Sequence, residues 1–287
     1  MVKRQKIENV LIVHEPETDI APVVLDSPHS GNIYPTDFGT IVARADLRRT
    51  EDAFVEQLYA EGPAKGAILI EALFPRCYID ANRNAMDLDQ NMIAGTWPGE
   101  LKPGKKTVVM GSGLIWRTGY PDLEMYDRKL SIAEVRNRID TFHAPYHNAL
   151  TDALSVSHRR FGRVYHINCH SMPSMSSGKS PEGPGKERPE FVLGDANGTS
   201  CSAAFTRRVH DVLAKMGYHV TINDPYNGAE LIRAYSNPAA GRHSLQIEIK
   251  RQLYMDEQAI TKNAGFDKLK TNLSLLLDEV VAFARAN

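Results

Sequence analysis

Apolar and polar positions follow two rhythms along this chain. Short β-rich runs near 22–26, 67–71, 76–81, 164–169, 190–194, 218–223 and 244–250 predict strands, and amphipathic stretches near 51–61, 131–160, 199–216 and 262–285 keep a helical period. That alternation predicts an α/β domain whose sheet is mixed and largely parallel, with helices on both faces. The 131–160 stretch opens with Ser131 and Glu134 at capping-box spacing, and Ile132, Val135, Ile139 and Phe142 carry its apolar stripe. Pro145 interrupts the stretch, so the helix kinks or splits there.

Chemistry is expected where such strands end. The run Val164-Tyr165-His166-Ile167-Asn168-Cys169-His170 empties into a Ser/Pro/Gly-rich stretch, Ser171 to Pro189, and Val23-Val24-Leu25-Asp26-Ser27-Pro28-His29-Ser30-Gly31 repeats the arrangement. On a strand His166, Asn168 and His170 share one face. His166 reads as a hydrogen-bonded core histidine. His29 and His170, both at strand ends, suggest one metal site.

A hydrolytic zinc centre takes three N or O ligands and keeps a position open for water. The third ligand falls in Thr50-Glu51-Asp52, where either acid can serve and where both would equally complement a helix N-terminus. Glu248 shares a strand face with Gln246 and Lys250. On an edge strand it would be an ordinary acid; on a central one it needs a cation or a proton to offset desolvation, which suits a general base. Arg83, in Asp80-Ala81-Asn82-Arg83, and Arg233, in Leu231-Ile232-Arg233-Ala234, are guanidiniums able to fork a substrate carboxylate or to form structural ion pairs.

Two motifs are set aside. Residues 173–180 mimic a phosphate-binding loop, but the run begins with Pro173 where glycine is required, and Pro181 and Pro184 forbid the helix that should follow. His143 and His147 have i, i+4 spacing but enclose Pro145 and lack the glutamate of helical zinc motifs.

Composition narrows the class. The chain has 287 residues, 42% hydrophobic and 24% charged, with a formal net charge of −1. These are globular values with no basic stripe, so nucleic acid is not expected as a partner. Cys77, Cys169 and Cys201 lie far apart, without metal-binding spacing or disulfide density, which fits a reducing cytoplasm. No signal peptide and no membrane-spanning apolar run is expected.

Taken in order, Asp26-Ser27-Pro28-His29-Ser30-Gly31, Glu51-Asp52 with Leu58-Tyr59, Asp80-Ala81-Asn82-Arg83, Pro145-Tyr146-His147, Asn168-Cys169-His170-Ser171 and Gln246-Ile247-Glu248 ending in Tyr254-Met255 resemble the N-formylglutamate amidohydrolase family. The resemblance spans most of the chain. It implies a relative of the zinc carboxypeptidases and aspartoacylases, a three-layer α/β/α fold over residues 1–287 as a single domain, with a flexible active-site loop at about 171–190. It further implies one zinc per chain held by His29, Asp52 and His170, with Asp52 favoured over Glu51 because it precedes Leu58-Tyr59 at the family's spacing. Glu248 matches the catalytic glutamate, Asn82 and Arg83 match the pair that holds a substrate carboxylate, and Arg233 falls where a second substrate contact would lie. The implied reaction releases formate and L-glutamate from N-formyl-L-glutamate, a small anionic substrate, and belongs to histidine catabolism. Ala81 stands where leucine is common in the family, and Ala53 where an aromatic is common. The alternatives are a deacylase or carboxypeptidase for larger acyl or peptidyl groups, and a metal-free binder of acidic small molecules.

Overall fold

The computed structural model describes residues 2–16, 19–119, 122–178, 180 and 182–287. Lys179 and Pro181, both in the expected active-site loop and in the phosphate-loop argument, lie outside the described residues.

Eight strands form one sheet: β1 (Val2–Ile7), β2 (Leu11–Pro16), β3 (Val23–Ser27), β4 (Ile68–Ala72), β7 (Val164–Met172), β8 (Phe191–Gly194), β9 (Val220–Ile222) and β10 (Arg242–Lys250). Four two-residue strands pair off outside it: β5 (Ile93–Ala94) with β6 (Leu130–Ser131), and β11 (Met255–Asp256) with β12 (Thr261–Lys262). The main order is β1-β2-β4-β3-β7-β10-β8-β9. Its centre, β4-β3-β7-β10, is parallel, and β2 and β8 join it antiparallel. The sheet is thus mixed and largely parallel, with β10 a central strand.

Alternation along the central strands builds two cores. Val23, Leu25, Tyr165, Ile167, Cys169, Leu245, Ile247 and Ile249 face α2 (Val55–Leu58), α5 (Ala203–Lys215) and α7 (Phe266–Ala286). Leu269, Leu273, Leu276 and Val280 of α7 recur at three- and four-residue steps and are fully or almost fully buried on that side. Across the sheet, Val24, Ile68, Ile70 and Val164 meet α3 (Ile132–Arg138), α4 (Ala144–Phe161) and α6 (Glu230–Tyr235), and the long segment 73–130 closes that layer. Each fully buried leucine contributes on the order of 1.5–3 kcal/mol.

The capping box at Ser131 and Glu134 forms, each side chain bonding the other's backbone N–H. The expected break near Pro145 appears as a widened π turn over Ile139–His143, after which α4 begins with the proline in its first turn, where a missing N–H costs nothing.

Two expectations need correction, and one element is new. Residues 76–81 form turns, because this buried segment satisfies its backbone through other elements: Tyr78 N–H bonds Pro75 O, Asp80 N–H bonds Leu114 O, and Arg138 Nη1 donates to Tyr78 O at 3.0 Å. Its apolar residues are core without being strand. The 51–61 helix shrinks to Val55–Leu58, since Phe54 takes a left-handed φ of 68° just before it. The β1–β2 hairpin was not anticipated. Lys3, Arg4 and Lys6 give β1 a polar composition, which protects an edge strand from further pairing.

Candidate active site

β3 ends two residues before His29, β7 carries His170 near its carboxyl end, and the turn holding Asp52 is tied to the first loop by its own N–H, which donates to His29 O at 2.9 Å. Gly31 lets that loop pass the 73–74 backbone: a Cβ there would lie 2.3 Å from Phe74 O.

His29, Asp52 and His170 are 1%, 1% and 2% exposed, and one donor atom from each lies within 4.8 Å of the others. His29 Nδ1 is 3.5 Å and His170 Nδ1 3.0 Å from Asp52 Oδ2. The opposite edges of both rings are held. His29 Nε2–H donates to Asp80 Oδ1 at 2.6 Å. His170 Nε2 meets Asn168 Oδ1 at 2.7 Å, and the direction of that bond follows from the amides around it. Asn168 Nδ2 donates to Asp26 and Asn82 Oδ1 accepts Leu231 N–H, so Asn168 Oδ1 must accept from His170 Nε2–H. With both rings neutral, the two Nδ1 atoms present lone pairs toward Asp52.

His29 Nδ1 is buried with no hydrogen-bond partner among the described residues. Burial, and then the Arg76 charge, push the His29 pKa down, so no proton fills the gap between that lone pair and the carboxylate. Two imidazole nitrogens and a carboxylate oxygen converging in this way fit a divalent metal, and zinc favours this donor set. The partners on the far ring edges, Asp80 and Asn168, fix ring orientation.

Burial opposes ionisation of Asp52, but the Arg76 guanidinium first of all holds its carboxyl well below the usual range. Arg76 Nη1 at 3.3 Å and Arg251 Nη2 at 3.0 Å share Asp52 Oδ1, which leaves Oδ2 to the histidines. Asp80 is likewise buried and depressed, by His29 first and then by Arg83 and Arg76. It also accepts from Asn82 N–H, Arg76 Nη2 and Trp116 Nε1.

Glu248 on β10 lies in register with His170 on β7 and is half-buried. Gln246 Nε2 donates to Glu248 Oε1 at 2.9 Å, and Gln246 Oε1 is itself fixed by Ala229 N–H at 3.1 Å. The carboxylate therefore stands beside the histidine–aspartate cluster with one oxygen anchored.

The remaining expected residues divide. Arg83 is buried beside the cluster, with Nε donating to Ser112 O, Nη1 to Asn82 O, and Nη1 4.0 Å from Asp80. Asn82 lies within the cluster, its amide bonded to Asn168 and Leu231 and 2.9 Å from His170 Nε2. Arg233 is exposed on α6 and bonds Asn227 Oδ1, so it is not brought to the cluster. Glu51 bonds the Tyr34 hydroxyl at 2.6 Å and Arg48, away from both histidines. His143 and His147 hold the 80–83 segment from behind, donating to Arg83 O and Ala81 O. Burial, and then the neighbouring His143, pull His147 down to about 3, so it stays neutral.

Arg76, Asp80 and Arg251 were not expected as parts of the cluster. Asp80 was legible only as an acid near Arg83, and nothing in the sequence linked Arg251 to Asp52. The stretch after His170 is anchored at several points. Ser174 Oγ accepts Gln252 N–H, Lys250 Nζ donates to Glu187, and Arg188 donates to Pro173 O, Ser180 and Glu182.

A family model described as N-formylglutamate amidohydrolase matches residues 21–255. The chain is 28% identical to an N-formylglutamate deformylase of Pseudomonas aeruginosa, over 83% of this chain and 84% of that protein. A crystal structure of N-formylglutamate amidohydrolase from Ralstonia eutropha JMP134 superposes with a TM-score of 0.91 at 42% identity, covering 97% of this chain and 99% of that one. The gene product Atu2144 from Agrobacterium tumefaciens shares the fold, with a TM-score of 0.67 at 18% identity over 96% of each chain. The family model takes in β3, β4, β7, β8, β9 and β10 with all the clustered residues between them, and this chain belongs to the N-formylglutamate amidohydrolase family.

Proposed function

We propose that the protein hydrolyses the N-acyl amide of a small acidic N-acyl amino acid, N-formyl-L-glutamate first, to formate and L-glutamate, with one zinc ion held by His29, Asp52 and His170. The observation that carries this reading is the unpartnered, buried His29 Nδ1 facing Asp52 beside His170, with Glu248 in the neighbouring strand position. The substrate comes from the names of the relatives at 28% and 42% identity.

When bound, the metal would supply an electrophile for the amide carbonyl and lower the pKa of a water. The protein's own residues do the rest. Glu248 takes the proton of the attacking water as its oxygen bonds the formyl carbon, then delivers it to the nitrogen as the C–N bond breaks. Gln246 keeps the Glu248 carboxylate oriented through that cycle. Asp80 and Asn168 hold the two imidazoles in the tautomer that leaves Nδ1 free. Arg83 binds a substrate carboxylate and turns binding energy into orientation, with Asn82 setting its backbone. Arg233 would have to release Asn227 to act as a second contact.

The test is metal analysis of the purified protein alongside formate release, comparing wild type, His170→Ala and Glu248→Gln. Expected are about one zinc per chain with release in wild type, and loss of both in His170→Ala. Glu248→Gln should keep the metal and lose about 10²- to 10⁴-fold in rate. A wild type that takes up no divalent metal overturns the mechanism. Metal without formate release moves the substrate to a larger acyl group, read from a panel of N-acyl glutamates.

A further inference from the structure

The guanidiniums at the cluster and in the loop after it are largely paired. Arg76 pairs with Asp52 and Asp80, Arg251 with Asp52, Ser171 and Arg49, and Arg188 with Glu182, Ser180 and Pro173. Two cations keep capacity. Arg83 uses Nε and Nη1, and no hydrogen bond leaves its Nη2 among the described residues. The Lys106 ammonium makes no hydrogen bond or ion pair with any described residue and lies 5.9 Å from the centre of the Tyr226 ring.

The segment that carries Lys106 is stapled against the Arg83 segment. Asp87 Oδ1 accepts from Gly104 N–H and from the buried Thr107 hydroxyl, Leu114 N–H donates to Asp87 O, Asp80 N–H to Leu114 O, and Arg83 Nε to Ser112 O. Thr107 is thus fixed inward, and the exposed Lys106 beside it accepts Ser112 N–H at its carbonyl at 3.3 Å, on the residue whose own carbonyl holds Arg83 Nε. Desolvation, then the Arg83 and Arg76 charges, pull its pKa down to about 8, and Glu248 and Asp80 act in the opposite sense. An ammonium with no counter-ion among the described residues is open to an anion.

We propose that Lys106 is a specificity determinant of the substrate site: it binds the second carboxylate of a dicarboxylic N-acyl amino acid, while Arg83 binds the first. This rests on the deformylase reading and deepens it, by assigning selection of an acidic side chain to a residue outside the motifs of the family resemblance. Tyr226, shared by Lys106 and by Arg188 of the 173–190 loop, forms the floor on which the ammonium is presented.

Lys106→Met keeps an unbranched apolar side chain and removes the charge, and Lys106→Arg restores a cation. With N-formyl-L-glutamate, Lys106→Met should raise KM about tenfold or more, whereas with the uncharged isostere N-formyl-L-glutamine it should change KM less than twofold. Lys106→Arg should recover most of the loss. Equal losses on both substrates, or no loss on either, overturn the proposal. A calorimetric arm needs no turnover: wild type should prefer glutarate over its monoamide, and Lys106→Met should lose that preference. A protein that releases no formate but loses this preference in Lys106→Met would defeat the deformylase reading and leave the Lys106 assignment standing; an unchanged preference defeats the assignment itself.

Discussion

Two buried histidine–carboxylate clusters sit one above the other on the same face of the sheet, and they differ in what they leave unpaired. In the lower one, His166 Nε2–H donates to Asp26 at 2.7 Å and Nδ1 accepts from the Ser244 hydroxyl at 3.1 Å, while Asn168 and the Tyr146 hydroxyl complete the Asp26 oxygens at 2.8 Å each. Ser, His and Asp stand in the order of a hydrolytic triad, yet all three are at most 1% exposed, so no substrate reaches them. In the upper cluster the same residue types leave His29 Nδ1 without a partner among the described residues, and a half-buried carboxylate, Glu248, adjoins it. A buried histidine–aspartate pair is therefore no sign of function in itself. The difference lies in whether the donor and acceptor capacities cancel.

Asp26→Ala attacks the closed cluster and should have the largest effect. It leaves His166, Asn168 and Tyr146 facing an empty acceptor site, at a cost of about 3–5 kcal/mol of stability by analogy with a broken buried pair. Chemical denaturation measures it. The Asp26 pKa is lowered in the folded state, despite burial, by His166 first. Its stabilisation is therefore present above the ordinary Asp value of about 3.9 and is lost as pH falls through the folded value, so the gap between variant and wild type should narrow below about pH 4. If Asp26→Ala kept full stability and lost only activity, the closed cluster would be catalytic and the contrast would fail.

Asp80→Asn tests the open cluster from behind. It weakens the grip on His29 Nε2, and zinc affinity by competition with a chelator should fall about 10- to 100-fold with a smaller change in stability. An unchanged affinity would mean that His29 needs no orienting partner. The smallest effect belongs to Ser244→Ala, which removes one hydrogen bond to His166. About 1 kcal/mol should be lost in denaturation, and formate release should stay within twofold of wild type. A tenfold loss of activity there would connect the two clusters more tightly than their geometry indicates.

Much of this was legible in the sequence wherever one strand supplied the pattern. β7 alternates His166, Asn168 and His170 against Tyr165, Ile167 and Cys169, and the structure keeps that division, with the apolar set in the α5–α7 core. The helices with long apolar stripes, α4, α5 and α7, stand close to where period predicted them. What failed was local structure held by distant partners. Residues 76–81 look like a strand because they are apolar, but an arginine sixty residues away satisfies the Tyr78 carbonyl. The ring-orienting role of Asp80 and the Asp52–Arg251 pair belong to contacts 51 and 199 residues apart, which no spacing rule encodes. Lys106 lies in a segment with neither helical nor strand period, so no pattern drew attention to it.

The parallel pairing of Glu248 with His170 has one more consequence. Side chains on a strand alternate, so a slip of β10 by one residue would carry Ile247 or Ile249 to the position beside the histidine and turn Glu248 into the apolar core. Such a misaligned molecule would pack badly and also lack the carboxylate beside His170. Turnover per chain thus doubles as a tally of correctly aligned strands: when the protein is refolded from denaturant, regained activity should count native molecules where helix content, blind to that slip, would overcount them.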